Sequence, residues 1–304
     1  MSDPIQFKSA MEFAYGVPRE LAPGVVRLVA NNPSPFTYKG TNSYLIGSKT
    51  LALIDPGPSD AAHLDAIQKA AGGRPITHIL ITHTHRDHVD GLAAAIAATG
   101  AKTAGYGPYD ITSRVEHADS GERGNRARHD FKPDVMLGHG DRLADDGWAV
   151  TAVHTPGHTP DHLCFGLDGT GVLFSGDHVM AWNTSVVAPP EGRMADYCRS
   201  LEVLIERGDD TVYFPGHGGQ LANPQRMSRA YLTHRRMREQ SILETIRGGA
   251  ADIDAVVAKV YAGLDPKVIP AARLSVLAHV EHLWERDLVT IEAPLSLASV
   301  LRAV

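Results

Sequence analysis

Thr82-His83-Thr84-His85-Arg86-Asp87-His88 packs three imidazoles and a carboxylate into one short string. These are the groups with which proteins hold a borderline divalent ion such as zinc. Alternate residues of an extended segment point the same way, so His83 and His85 can share one ion. Asp87 and His88 lie one turn further, at the start of a helix, and can reach a second. Three later segments repeat one design, a β-rich run followed by glycine and a candidate ligand: Thr155-Pro156-Gly157-His158-Thr159, Ser175-Gly176-Asp177-His178 and Phe214-Pro215-Gly216-His217-Gly218. Glycine before a ligand lets the backbone bend and come close. Each segment alone reads as a turn with an incidental polar residue. Together, in order after the first motif, they supply the three ligands that two ions still need. The chemistry this implies is metal-assisted hydrolysis.

Such ligands need a β-rich frame. Val25–Val29, Ser43–Ile46, Thr50–Ile54 and Ile76–Thr82 read as strands, the last leading directly into His83. Trp148–His154, Leu163–Leu167, Val172–Phe174 and Thr211–Phe214 read as further strands. Helices are expected from Asp60, a cap, to Ala71, from Val89 to Thr99, and from Asp196 to Arg207. Gly105 to Phe131 is polar and weakly patterned, a long surface excursion of the kind that borders active sites. After about Pro224 the texture changes. Gln225–Arg247, Asp252–Ala262 and Ala271–Arg286 read as helices and Val289–Glu292 as a strand, so a catalytic domain over 1–224 and a small helical module over 225–304 are expected.

The whole chain sets the bounds. Its 304 residues suffice for one large domain and a small one. A net charge of −6 makes a general nucleic-acid binder a poor reading, because phosphate binding rests on clustered Lys and Arg. Two cysteines, Cys164 and Cys198, are too few for a disulfide framework and read as buried free thiols. The N-terminus shows no basic start followed by an apolar run, and no apolar stretch is long enough to span a membrane, so a cytoplasmic protein is expected.

The four ligand segments, in this order, resemble the metallo-β-lactamase superfamily, over Val25 to about Gly219. The resemblance implies an α/β fold, an αββα sandwich with the metal site at the edge between two sheets. It also implies that His83, His85 and His158 hold the first ion, that Asp87, His88 and His217 hold the second, and that Asp177 bridges them. Asn32-Pro33-Ser34-Pro35-Phe36-Thr37 with Gly40-Thr41-Asn42-Ser43-Tyr44-Leu45 is similar to the beta-lactamase-like protein 2 group, as is Tyr231-Leu232-Thr233-His234-Arg235 with Arg238-Glu239-Gln240. In that group the C-terminal module resembles a winged helix. Asp177 stands where one class of true zinc β-lactamases has cysteine, and another class lacks a bridging carboxylate. The site thus looks like those of glyoxalase II enzymes, lactonases and metal-dependent nucleases, with antibiotic hydrolysis incidental.

A water bridging two divalent ions loses a proton near neutral pH, and that hydroxide is the expected nucleophile. Asp87 is the candidate proton acceptor. His178, Trp182, Thr184 and Asn42 are candidates for contact with substrate, Trp182 as a flat apolar wall, and His162 is a candidate pocket or supporting residue. His63, His78, His117, His129, His139, His279 and His282 have no motif context and are read as non-ligands. Zinc suits mixed imidazole and carboxylate ligands, with manganese or iron as alternatives.

The leading reading is therefore a binuclear hydrolase of a small ester, thioester or lactone. The competing one is a phosphodiesterase acting on single-stranded RNA, favoured by the module and its Arg226, Arg229, Arg235, Arg236 and Arg238. Against these stand Glu239, Glu244, Glu281, Glu285 and Asp287, so a solvated face or a lid is the preferred role for the module. A di-iron redox protein is a weaker reading, since the chain has no glycine-rich dinucleotide loop.

Overall fold

The computed structural model describes residues 5–8, 10–113, 115, 127–291 and 294–304. Among them β1 (Arg19–Ala22), β2 (Val25–Val29), β3 (Asn42–Ile46), β4 (Leu51–Ile54), β5 (Ile76–Leu80), β6 (Lys102–Gly105) and β7 (Val135–Met136) lie side by side in chain order. The sheet is antiparallel to β4 and parallel beyond it. Parallel neighbours need a crossover. Between β4 and β5 it is α1 (Ala61–Ala71), capped by Asp60, whose Oδ1 accepts from the Ala62 and His63 amides. Between β5 and β6 it is α2 (Arg86–Val89) and α3 (Leu92–Thr99). The single helix expected over Val89–Thr99 is thus the second of two. The break falls where the Asp55-Pro56-Gly57 turn docks: the Gly91 amide donates to Gly57 O at 2.9 Å.

The second sheet has β8 (Arg142–Asp145), β9 (Trp148–His154), β10 (Leu163–Leu167), β11 (Val172–Gly176), β12 (Val212–Pro215) and β13 (Leu221–Ala222), in spatial order β13-β12-β11-β10-β9-β8. Its one parallel pair, β11 and β12, is joined by α4 (Met194–Glu206). Aromatic and β-branched side chains of the two inner faces meet in one cluster that includes Tyr44, Ile54, Trp148, Phe165, Phe174 and Phe214. The first sheet packs outward with Leu45, Leu53 and Ile79 against Ile67 of α1 and Ala95 of α3. The second packs outward with Cys164, Leu173 and Tyr213 against Tyr197 and Leu201 of α4. Helix, sheet, sheet, helix is the αββα order expected.

The C-terminal part is α5 (Pro224–Arg247), α6 (Ile253–Val260), α7 (Ile269–Glu285), β14 (Val289–Ile291) and β15 (Leu301–Ala303), the two strands forming an antiparallel wing. α5 crosses the boundary expected after residue 224. Its Tyr231 and Leu232 belong to the core behind the second sheet, while Ile242, Leu243 and Ile246 belong to the module's own core with Val256, Val276 and Leu283. No described helix is long and apolar enough to cross a membrane.

Strands β1, β6, β7, β8, β13 and β15 were not expected from the sequence. They have four residues or fewer, too short for an alternation to be seen. Of the excursion over 105–131, the described residues beyond Gly105 are irregular apart from a single bridge between Val115 and Leu295. His117 and Glu292 lie outside the described residues. Cys164 is buried as expected; Cys198 is only half-buried.

Candidate metal centre

All seven candidate ligands leave the two sheets at one edge. His83 follows β5, His158 follows β9, Asp177 follows β11 and His217 follows β12, while α2 carries Asp87 and His88. The sheets are sewn together there. Leu163 N–H donates to Thr82 O at 2.7 Å, Asn42 N–H to Gly216 O at 2.7 Å, and the Tyr44 hydroxyl to Pro215 O at 2.7 Å.

Two glycines in the ligand turns allow approaches no other residue permits. A Cβ at Gly157 would lie 2.3 Å from the Tyr197 backbone, and φ there is +130°. A Cβ at Gly216 would lie 2.4 Å from Asp177 Oδ1 and 2.7 Å from His88 Cε1. The glycine before His217 is therefore what lets that turn close onto the ligands of the other segments.

The ligating atoms converge in three groups, each with its atoms within 4.8 Å of one another: His83, His85 and His158; Asp87, His88 and His217; and His83, His88 and Asp177. Asp177 Oδ2 lies 3.3 Å from His217 Nε2, 3.7 Å from His158 Nε2 and 4.0 Å from His83 Nε2, with Oδ1 3.6 Å from His88 Nε2. Its carboxylate stands between the two imidazole sets. Asp87 Oδ2 lies 3.2 Å from His217 Nε2 and accepts from the Thr41 hydroxyl at 3.0 Å.

The outer nitrogens decide what the inner ones can do. His158 Nδ1 faces Val186 O at 2.6 Å and His217 Nδ1 faces Gly40 O at 3.2 Å, acceptors that force N–H on both. His88 Nδ1 donates to Asp55 Oδ2 at 2.8 Å. The Thr82 hydroxyl gives its proton to Asp55 Oδ2 at 2.6 Å, so toward His83 Nδ1, at 3.0 Å, it can only accept. His85 Nε2 faces Glu191 Oε2 at 3.4 Å. Every inward nitrogen of the neutral rings therefore presents a lone pair.

With the His85 ring neutral, its Nδ1, 3.0 Å from both His83 Nε2 and His158 Nε2, meets their lone pairs with no proton to share. As hydrogen bonds these contacts fail. As a cage they fit: tetrahedral ligands on zinc stand about 3.3 Å apart. The residues present suit a divalent cation, and the outer partners are of the kind that orient metal-bound imidazoles.

Charge follows the same division except at His85, where burial is outweighed by Glu191, Asp87 and Asp177, which raise it. Burial keeps His83 neutral and holds His158 at about 4. At His217 burial is outweighed by Asp177 and Asp87, which raise it to about 9, and the same carboxylates with Asp55 raise His88. Asp87 and Asp177 stay ionised: burial opposes this, but His88 and His217 outweigh it. Without metal, the second set thus balances carboxylates against imidazoliums, a balance cations can take over.

Of the candidates for substrate contact, two face away. Asn42 spends both amide hydrogens on Pro215 O and Gly218 O, at 2.8 and 2.9 Å, and so braces the turn that carries His217. His178 is fully buried, its ring packed on Tyr197 at 4.5 Å between centroids, and burial drops it to about 3. Trp182 is half-buried and stacks on Tyr38 with centroids 4.8 Å apart. A Cβ on Gly218 would meet it at 2.7 Å, so it lies one residue from His217. Thr184 is half-buried, its amide bonded to Asn183 Oδ1 at 2.9 Å. His162 supports the centre from behind: its Nε2 accepts from the Asp177 amide at 3.1 Å. His63, His78, His129, His139, His279 and His282 belong to none of the three groups.

Sequence reasoning missed Asp55, Glu191, Thr82 and Arg235. Asp55 reads as part of a turn, and its positive φ of 50° has no sequence signature. Arg235 reads as surface; it is buried, lies over the Tyr197 ring and donates to Ser185 O, whose hydroxyl in turn donates to Asp177 O at 2.5 Å.

Known proteins resemble the chain over both of its parts. The Metallo-beta-lactamase superfamily profile matches residues 37–217, and the Beta-lactamase associated winged helix domain profile matches 253–293. The chain is 33% identical over 279 residues to the beta-lactamase-like protein 2 homolog of Drosophila melanogaster, covering 86% of this chain and 88% of that one. It is 30% identical over 278 residues to the lactamase-like protein adaB of Aspergillus niger, covering 86% and 79%. A beta-lactamase domain protein of Burkholderia ambifaria shares the fold with a TM-score of 0.78 at 21% identity, covering 97% and 96% of the two chains. A metallo-beta-lactamase family protein of Thermus thermophilus does so with a TM-score of 0.73 at 23% identity, covering 94% and 100%.

Proposed function

Because the chain belongs to the metallo-beta-lactamase superfamily, whose members are generally metal-dependent hydrolases, we propose that it hydrolyses a small ester, thioester or lactone at a binuclear centre. The carrying observation is the pair of three-residue ligand groups with Asp177 between them. His83, His85 and His158 would hold one ion, Asp87, His88 and His217 the other, and Asp177 both. Zinc suits this donor set, with manganese or iron as alternatives. Two such ions would acidify water and polarise the attacked carbonyl.

The chain's own residues do the rest. Asp87 Oδ2, steadied by the Thr41 hydroxyl, is the proton acceptor for the attacking water. Asp55 keeps His88 of the second set in register and, through Thr82, His83 of the first. Trp182 with Tyr38 forms an apolar wall beside His217, and Thr184 follows two residues on in the chain. The small-molecule reading over RNA is supported by where the module's arginines go. Arg235 is buried, Arg236 pairs with Glu202 at 2.7 Å, Arg238 donates to Val260 O at 2.9 Å, Arg273 pairs with Asp254 at 2.8 Å and Arg286 with Glu239 at 2.7 Å. Three of the five arginines named on α5 are thus engaged, which weakens the case for tracking a phosphate backbone, while Arg226 and Arg229 are exposed.

The test is a panel of thioester, lactone, cephalosporin and labelled RNA oligomer, each with and without chelator. Chelator-sensitive turnover of a thioester or lactone with intact RNA is expected. RNA cleavage that falls steeply with added salt would instead establish the nuclease.

A further inference from the structure

Each of the five inward imidazoles has an oxygen on its outer nitrogen, but the five are not held alike. Four are held by groups the fold fixes. Val186 O and Gly40 O are backbone, Asp55 sits at the end of β4, and the Thr82 hydroxyl is next to His83 itself. His85 differs in two ways. It turns Nδ1 rather than Nε2 inward, and its outer nitrogen meets the side chain of a loop residue, Glu191, on the approach to α4. It is also the most exposed of the five rings, with 12% of its side chain open, against 7% for His158 and 2% or less for the other three.

We propose that Glu191 is a positioning residue of the first ligand group, fixing the rotation of the His85 ring and raising its donor strength toward the ion held with His83 and His158. The inference rests on the metal-centre reading above. Its chemistry is that of a carboxylate accepting from the outer N–H of a ligating imidazole. This restrains the ring, selects the tautomer and makes the inward nitrogen more basic. Glu191 is suited to the task. Its side chain is mostly buried, and its second oxygen, Oε1, accepts from the Ala127 amide at 3.2 Å, so the carboxylate is anchored on both sides. The same arm draws the rim of the site inward: the next amide, Arg128 N–H, donates to Thr84 O at 3.0 Å, between His83 and His85. One carboxylate therefore ties the least enclosed ligand to the segment that borders it.

The experiment measures metal affinity rather than turnover. Wild type, Glu191→Ala and Glu191→Gln would be loaded with zinc and stripped by competition with a graded chelator, with melting temperature confirming that each is folded. The visible spectrum of the cobalt-substituted proteins would report the ligand field. Glu191→Ala should bind one of two equivalents about 10- to 100-fold more weakly, with an altered cobalt spectrum. Glu191→Gln keeps an acceptor oxygen without the charge, so it should restore most of the spectrum and only part of the affinity. If folded Glu191→Ala and Glu191→Gln both hold two equivalents as wild type does, with unchanged spectra, the inference is overturned and the metal centre stands. If wild type itself binds no zinc or cobalt, the centre falls and the inference with it.

Discussion

Asp55 stands directly behind His88, with Oδ2 2.8 Å from Nδ1, while its other oxygen takes the Thr82 amide at 2.8 Å. One buried carboxylate thereby fixes the His88 ring of the second candidate group and Thr82, the residue that precedes His83 of the first. Asp55→Asn can accept from only one of these partners with full strength. It should weaken metal binding or turnover by about 10- to 100-fold. Asp55→Ala leaves buried donors unsatisfied and should cost about 1–3 kcal/mol of stability besides. Urea titration alongside metal analysis separates the two effects; wild-type values in both would remove Asp55 from the centre.

Asp177 serves both imidazole sets, so its loss should not be graded. Asp177→Ala is expected to reduce hydrolysis to background and to lower the zinc content of the purified protein. Chelator treatment of wild type should lower the melting temperature, since ions that bind only the folded chain add about 4 kcal/mol at a thousandfold excess over Kd. A scan with and without chelator that gives one melting temperature would contradict this.

Gly157 is a strict backbone requirement in the turn that carries His158. Gly157→Ala forces a methyl to within 2.3 Å of the Tyr197 backbone at φ +130°. The combined strain and overpacking should cost about 2–4 kcal/mol, with His158 displaced. Gly73→Ala is the control. It has φ +80° but no atom within 4 Å, so only the backbone term of about 1 kcal/mol applies. Equal denaturation midpoints for the two variants would show that the close approach at Gly157 is not needed.

Three histidines away from the centre are kept neutral by burial: His63, His234 and His279, each lowered to about 4. An unfolded histidine takes a proton near 6.5, whereas these resist it until about 4. Folding stability should therefore be full above about pH 6.5 and fall as pH drops toward 4. The loss is about 1.4 kcal/mol per pH unit for a fully shielded ring, and less for the half-buried His234. His279→Gln should flatten the slope in that window. Melting curves at stepped pH with an unchanged slope would refute the assignment.

The sequence displays the candidate ligands because metal chemistry leaves few residue types and the chain lists them after β-rich runs. His83, Asp177 and His217 needed only their neighbours to be found. Their supports were hidden for the opposite reason. Asp55 looks like any Asp-Pro-Gly turn and Glu191 like any loop acid, since a supporting role depends on what lies across space, not along the chain. Asn42 and His178 were misplaced by proximity to ligands in sequence. One is turned to suture β3 to the His217 turn, and the other is drawn into the apolar layer under α4. Long strands such as β9 showed their alternation, whereas β7 and β13, two residues each, exist only through their neighbours.

The unbroken run of α5 has a bearing on how the molecule is made. The last candidate ligand, His217, is synthesised before Tyr231 and Arg235, which clamp the 180–185 turn through Met180 O, Asn183 O and Ser185 O. The same helix then travels about 22 Å from Tyr231 to Ile246 before burying its far end in the winged lobe. A growing chain that already holds every ligand residue thus still lacks the brace that seats one side of the cage. Seating of the candidate centre waits on the first half of α5, which carries none of its seven residues.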